Sequence, residues 1–228
     1  RMNVRSADTA EVKDMAVQMV QDEEIIPILA TASLLNAVEK AIDRTGSGTA
    51  RISFEVSARG MPGETFKREN MFYSPENVAE ASLAEFYEFI AFLASNPHRP
   101  VTIMDIKADI SVSQERRTAR ILSARPLQLS AKPGEVVDIE VKLKPYRAEP
   151  ITRNVSFSVT KEQAPGVMNL SGRGGGFCSL AALLKKLGGE GDIPKPTRKP
   201  PKSFEEMMKE FSDRDRNHDI VVELPDGI

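Results

Sequence analysis

The stretch TARISFEVSARG, residues 49–60, decides the fold that the sequence predicts. Its apolar residues Ala50, Ile52, Phe54 and Val56 alternate with polar ones. A period of two residues places one face of a β-strand in a core and the other face in water. Because the flanking segments carry a helical period instead, the sequence predicts an α+β protein.

Helical patterns lie on both sides of this strand. Residues 11–20 have apolar positions at helical spacing, and a second helix is expected to begin near Pro27. The segment 65–73 follows turn residues and is predicted to pair with the first strand as a hairpin. Ser74 precedes a proline and is expected to cap the next helix. We assign residues 1–99 to a helical part with a β-hairpin.

Residues 100–176 carry short alternating strands separated by turn residues. Met104 to Val112 is one such strand, and Val137 to Leu143 and Val155 to Val159 are others. Short alternating strands with Pro-Gly turns between them are typical of an immunoglobulin-like antiparallel β-sandwich. The sequence therefore predicts such a sandwich here.

Residues 177–228 are expected to form a helix, a Pro-rich linker, a short helix and a closing strand. Ser203 and Glu206 have the spacing of a capping box. The short helix has an apolar face that soluble proteins seldom leave bare, made of Phe204, Met207, Met208 and Phe211. We therefore expect this tail to pack on the body, within the same chain or exchanged with a neighbour as a homodimer.

Composition limits the classes of partner. The chain has 228 residues and a formal net charge of −2, which does not favour a nucleic-acid surface. No apolar run approaches the ~20 residues that cross a bilayer, so the sequence predicts no membrane span. The single cysteine cannot form an internal disulfide. Because residue 1 is not methionine, the chain is expected to be a piece of a longer protein.

The segment SGRGGGFCSLAALLKKLGG, residues 171–189, is the main candidate for chemistry. It lacks the Gly-Lys-Ser/Thr of a Walker loop and the spacing of a dinucleotide fingerprint. Cys178 precedes a predicted helix, whose N-terminus would favour a thiolate. A nucleophile also needs a base, which His98 or His218 would have to supply. The residue types favour the other interpretation, a turn with Cys178 as a small buried residue.

No other motif predicts a site. Two separated histidines and one cysteine give no zinc spacing. DRDRNHD, residues 213–219, has the acids of a calcium loop but neither its order nor its terminal glutamate. The paired acids Glu23-Glu24 and Glu205-Glu206 are expected on solvated helix faces. The sequence therefore predicts no catalytic residue, no cofactor-binding residue and no metal ligand.

Several segments occur together in an order that is distinctive: IIPILATASLLNAVEKAIDRTGSGTARISFEV (25–56), RENMFYSPENVAEAS (68–82), FLASNPHRPVTI (92–103), ERRTARI (115–121), PGEVVDIEVKLKPYRAEPITRNVSFSV (133–159), PGVMNLSGRGGG (165–176) and RNHDIVVEL (216–224). Together they resemble the region downstream of the peptidase domain in bacterial proteins of the SpoIVB-like (stage IV sporulation serine peptidase) family. The resemblance implies an exported, extracytoplasmic protein. The family's catalytic Gly-His and Ser-Gly segments have no counterpart here, so no catalytic role is carried over.

The expected function is that of a non-catalytic accessory or interaction region of a SpoIVB-like protein. Its partner would be another protein or its own upstream domain. One alternative is an envelope module that binds a peptide or another ligand independently of proteolysis. Carbohydrate stacking is not favoured, because the chain has no tryptophan and only Tyr73, Tyr87 and Tyr146. The other alternative is a cysteine-dependent enzyme that uses Cys178.

Overall fold

The structure, a computed structural model, describes residues 1–42, 46–176 and 203–224. The chain is an α+β protein and divides into two compact units. The first unit comprises Arg1–Glu115 and Phe177–Arg216, and the second comprises Arg116–Gly176 and Asn217–Ile228. The Cys178 segment and the Pro-rich linker lie outside the described residues.

A five-stranded mixed sheet forms the first unit, in the order β2-β1-β5-β3-β4. Its strands are β1 (Met2–Ser6), β2 (Val12–Met15), β3 (Gly48–Arg59), β4 (Thr65–Ser74) and β5 (Thr102–Ser113). Strand β1 runs parallel to β5, and the other neighbouring strands are antiparallel. The alternation in residues 49–60 correctly predicted β3, whose apolar side chains Ala50, Ile52, Phe54 and Val56 are buried.

Three helices contribute to the apolar core on this face of the sheet. They are α1 (Ile26–Ile42), α2 (Val78–Ala94) and α3 (Phe204–Ser212). Their buried side chains form one apolar cluster with those of β3, β4 and β5. The cluster is rich in phenylalanine: Phe54 contacts Phe86 edge-on, with ring centroids 5.4 Å apart. Among the described residues, no helix is both long and apolar enough to cross a bilayer.

Two local expectations were wrong. Residues 12–15 form the edge strand β2 and not a helix, because they pair with β1, a strand that the sequence did not indicate. Asn77 and not Ser74 caps α2: its side chain accepts hydrogen bonds from the backbone N–H groups of Ala79 and Glu80. Ser74 instead accepts from the backbone of the turn that precedes the helix.

The second unit is built from β-strands. A three-stranded antiparallel sheet, ordered β6-β7-β8, contains β6 (Ala119–Pro126), β7 (Val136–Pro145) and β8 (Ile151–Ser158). A separate antiparallel pair contains β9 (Ser171–Gly174) and β10 (Ile220–Glu223). Side chains from both sheets share one apolar cluster around Ile139 and Val141.

The boundary between the units falls after Glu115, where we had expected it after residue 99. The strand at 104–112 was assigned to the sandwich, but it lies within β5, between β1 and β3 of the first unit. Its alternation identified a strand correctly, and alternation alone does not specify which sheet a strand joins.

Candidate helix-binding groove

Helix α3 has the local chemistry of a short, well-defined helix. Ser203 is the N-cap, and its hydroxyl accepts a hydrogen bond from the backbone N–H of Glu206 at 3.1 Å. Glu205 and Glu206 lie in the first turn, where negative charge favours the helix dipole. Phe204, Met208 and Phe211 follow at intervals of four and three residues and are buried. A nine-residue helix is marginal by itself, so its stability must come from the surface that it packs on.

That surface is a groove lined by aromatic side chains from β4 and α2. Phe211 contacts Phe89 and Phe66, with ring centroids 4.8 Å and 5.8 Å away. Phe204 stacks on Phe92 with an angle of 1° between the ring planes. Contacts between aromatic rings stabilise by about 0.5–1.5 kcal/mol beyond the burial of their area. The groove is therefore filled by the large apolar side chains that α3 presents at helical spacing.

A buried ion pair lies at one end of this groove. The Arg68 guanidinium of β4 donates from Nε to Oε1 of Glu85 on α2 at 2.9 Å. The side chains are 4% and 0% exposed. The other carboxylate oxygen of Glu85 accepts from the Asn70 side-chain amide at 2.8 Å. A buried charge is tolerated only with such partners, and removing one partner of a buried pair typically costs about 3–5 kcal/mol.

The same guanidinium holds the end of α3. Arg68 donates to the backbone carbonyls of Arg214 at 2.9 Å, Asp215 at 3.2 Å and Ser212 at 3.5 Å. Ser212 is the last residue of α3, whereas Arg214 and Asp215 follow its C-cap residue, Asp213. Arg68 thus links the buried Glu85 to the C-terminal end of the docked helix.

Two further arginines pair at the rim. Arg214 donates to Glu88 at 2.7 Å and lies over the ring of Phe211, 4.4 Å from its centroid. Arg99 pairs with Glu205 and lies over the ring of Phe204. Such partly exposed pairs add little stability but fix the register of a bound helix.

The two histidines and the acidic segment 213–219 that were considered for chemistry lie in the described part of the chain. Cys178 lies outside the described residues. His98 is exposed in the turn after α2, in the first unit, and His218 is exposed before β10, in the second unit. The 213–219 segment follows α3 and supplies carbonyls to Arg68. Across residues 1–42, 46–176 and 203–224, no group of three or more His, Cys, Asp or Glu side chains could hold a metal ion.

Sequence reasoning missed Arg68, Asn70 and Glu85. A signal for the first two is present, because they occupy the positions between Phe66 and Phe72 on the buried side of β4. Polar residues in a buried row of a strand need partners within the fold. Glu85 lies among the buried positions of α2 and offers the matching charge.

Comparisons of the chain with protein-family models, with curated proteins and with solved structures found no match.

Proposed function

We propose that this chain is a non-catalytic protein-interaction region whose first unit recognises an amphipathic helix. The observation that carries the proposal is the link from Glu85 through Arg68 to the carbonyls of Arg214 and Asp215. Helix-in-groove recognition uses apolar anchors at helical spacing. Phe204, Met208 and Phe211 have that spacing, and the buried guanidinium adds a polar contact at the helix end.

The biological setting rests on the resemblance to SpoIVB-like proteins. We propose an accessory region of an exported, extracytoplasmic protein of that kind, with a protein partner or its own upstream domain as the target. An immunoglobulin-like sandwich is the finer proposal for the second unit. Its support is that a three-stranded and a two-stranded antiparallel sheet share one apolar cluster. An envelope peptide-binding module would use the same groove.

The groove can be tested with the tail helix as a free peptide. The protein is the full-length chain with Phe204→Ala and Phe211→Ala, which weaken the packing of its own α3. The probe is a fluorescein-labelled peptide of residues 203–216. We expect saturable binding in a fluorescence anisotropy titration, because the groove then lacks its apolar anchors.

Two matched controls make this test specific. A peptide that carries Phe204→Ala and Phe211→Ala should not bind, and the native peptide should bind more weakly to a protein with a further Glu88→Gln change, which removes only the partly exposed partner of Arg214. Absence of binding by the native peptide to a variant that remains folded by circular dichroism would overturn the proposal. Equal binding of the native and altered peptides would also overturn it.

A further inference from the structure

A cluster of cationic side chains surrounds Tyr146 in the second unit. The backbone N–H of Tyr146 donates to the carbonyl of Thr118 at 2.9 Å, which extends the β6–β7 pairing by one step. The guanidinium carbons of Arg116 and Arg147 lie over the tyrosine ring, 4.3 Å and 5.0 Å from its centroid. Tyr146 is 41% exposed, Arg116, Arg120 and Arg147 are also exposed, and Lys144 is half-buried. We define Arg116, Arg120, Lys144, Tyr146 and Arg147 as the Tyr146 cluster.

Two members of the cluster form an unfavourable pair. Arg120 on β6 lies directly opposite Lys144 on β7 in the antiparallel register. Like charges directly opposite each other on neighbouring strands are destabilising. Within the part of the chain that the structure describes, no carboxylate pairs with either side chain or with Arg147. The fold therefore keeps a repulsion that an anionic ligand would relieve.

The backbone beside this pair is also strained. Arg147 has a φ of 55°, in the left-handed region that favours glycine. Strained backbone is found preferentially at functional sites, where the surrounding structure maintains it. Here the strained residue places its guanidinium over the ring of Tyr146.

The charges along β7 indicate the class of ligand. Asp138, Glu140, Lys142 and Lys144 alternate with the buried residues of β7 and share its outer face. Along β7 that face is acidic at one end and basic at the end near Tyr146, and Arg125 on β6 lies opposite Glu140. A uniformly anionic nucleic acid or membrane would be repelled by the acidic end, whereas a protein segment can match both signs.

We propose that the Tyr146 cluster binds an acidic segment of a partner protein. Arginine guanidiniums donate paired hydrogen bonds to carboxylates, and the tyrosine ring orients the guanidinium of Arg147. This proposal rests on the proposed function of protein interaction. It concerns the second unit, so the Phe204/Phe211 test addresses a different surface.

The experiment uses the full-length chain and a fluorescein-labelled, glycine-spaced peptide with two lysines at one end and two glutamates at the other, which matches both signs of charge along β7. We expect binding that weakens as salt is added. The double variant Arg120→Gln, Lys144→Gln should bind about fivefold to tenfold more weakly, because it loses two charged contacts. The same variant should have a higher melting temperature, because the repulsion across β6 and β7 is removed.

A matched control removes two positive charges elsewhere in the unit. Lys132 and Lys161 are exposed near the turn at the opposite end of β7, so Lys132→Gln, Lys161→Gln should leave both affinity and melting temperature unchanged. No binding of the peptide, or an equal loss in the control, would overturn the proposal. Tighter binding of oligothymidylate or of phosphatidylglycerol vesicles than of the peptide would overturn it too. If the charged peptide did not bind but the 203–216 peptide did, the groove proposal would be unaffected.

Discussion

Glu55 lies on the solvent face of β3, between Lys67 on β4 and Lys107 on β5. The two ammonium groups approach its carboxylate at 2.7 Å and 2.9 Å. Hydrogen bonds from Lys67 and then Lys107 lower the pKa of Glu55 from its ordinary value of 4.5 to about 2. The same contact raises the pKa of Lys107. This face of the sheet therefore carries an ion-pair network across β3, β4 and β5, whereas the opposite face packs into the apolar core.

A Glu55→Gln variant should be less stable than the native chain at neutral pH. A carboxyl whose pKa is lowered in the folded state stabilises the fold above its unfolded pKa. That contribution is lost as the pH falls from about 4.5 towards about 2. Thermal denaturation from pH 7 to pH 2 should show the two melting temperatures converge over this interval. An exposed-glutamate control, Glu162→Gln, should show no such convergence, and a constant difference for Glu55→Gln would contradict the argument.

The position of the Glu55 side chain could be predicted from the sequence, whereas the burial of Glu85 could not. The alternation of β3 correctly placed Glu55 on the wet face. The buried pair of Arg68 and Glu85 could not be predicted by the same rule, because burial of charge depends on a partner from another element. Seventeen residues separate these two positions in the sequence, and only the packing of α2 on β4 brings them together.

Elements with strong local signals were predicted well. Helix α1, strand β3 and helix α3 have clear periodicity or a capping residue. Strand β2 was missed because Val12 and Met15 are three residues apart, as on a helix, while the four-residue strand depends on pairing with β1. Strand β5 was recognised but assigned to the other unit.

Helix α3 depends on Phe211, which is 2% exposed between Phe66 and Phe89. Phe211→Ala should reduce the free energy of unfolding by about 3–5 kcal/mol, since it leaves a cavity among aromatic rings. Urea denaturation would measure the change. Lys209→Ala is the control, because this exposed residue lies on the same helix and should change stability little. Equal effects of the two substitutions would show that α3 does not depend on the groove.

At the scale of the whole molecule, the tail supplies one element to each unit. The chain leaves the first unit after Glu115, returns to it for α3, and leaves again after Arg216. Strand β10 then pairs with β9, where Arg173 donates to both carboxylate oxygens of Glu223 at 2.8 Å and 3.0 Å. The sequence predicted both tail elements. It could not predict that they complete different units, because periodicity does not identify the partner of an exposed face.

Two truncations separate these contributions. A chain that ends at Arg216 keeps α3 and loses β10, so amide hydrogen exchange should accelerate in β9 and around Ile139, with β3 and β4 unchanged. A chain that ends at Gly191 loses both elements, so exchange should also accelerate in β4 and α2, where Phe66 and Phe89 would be uncovered. Mass spectrometry of the exchanged peptides measures both patterns against the intact chain. If removal of β10 alone accelerated exchange throughout the first unit, the two units would share one cooperative transition and the tail would not divide between them.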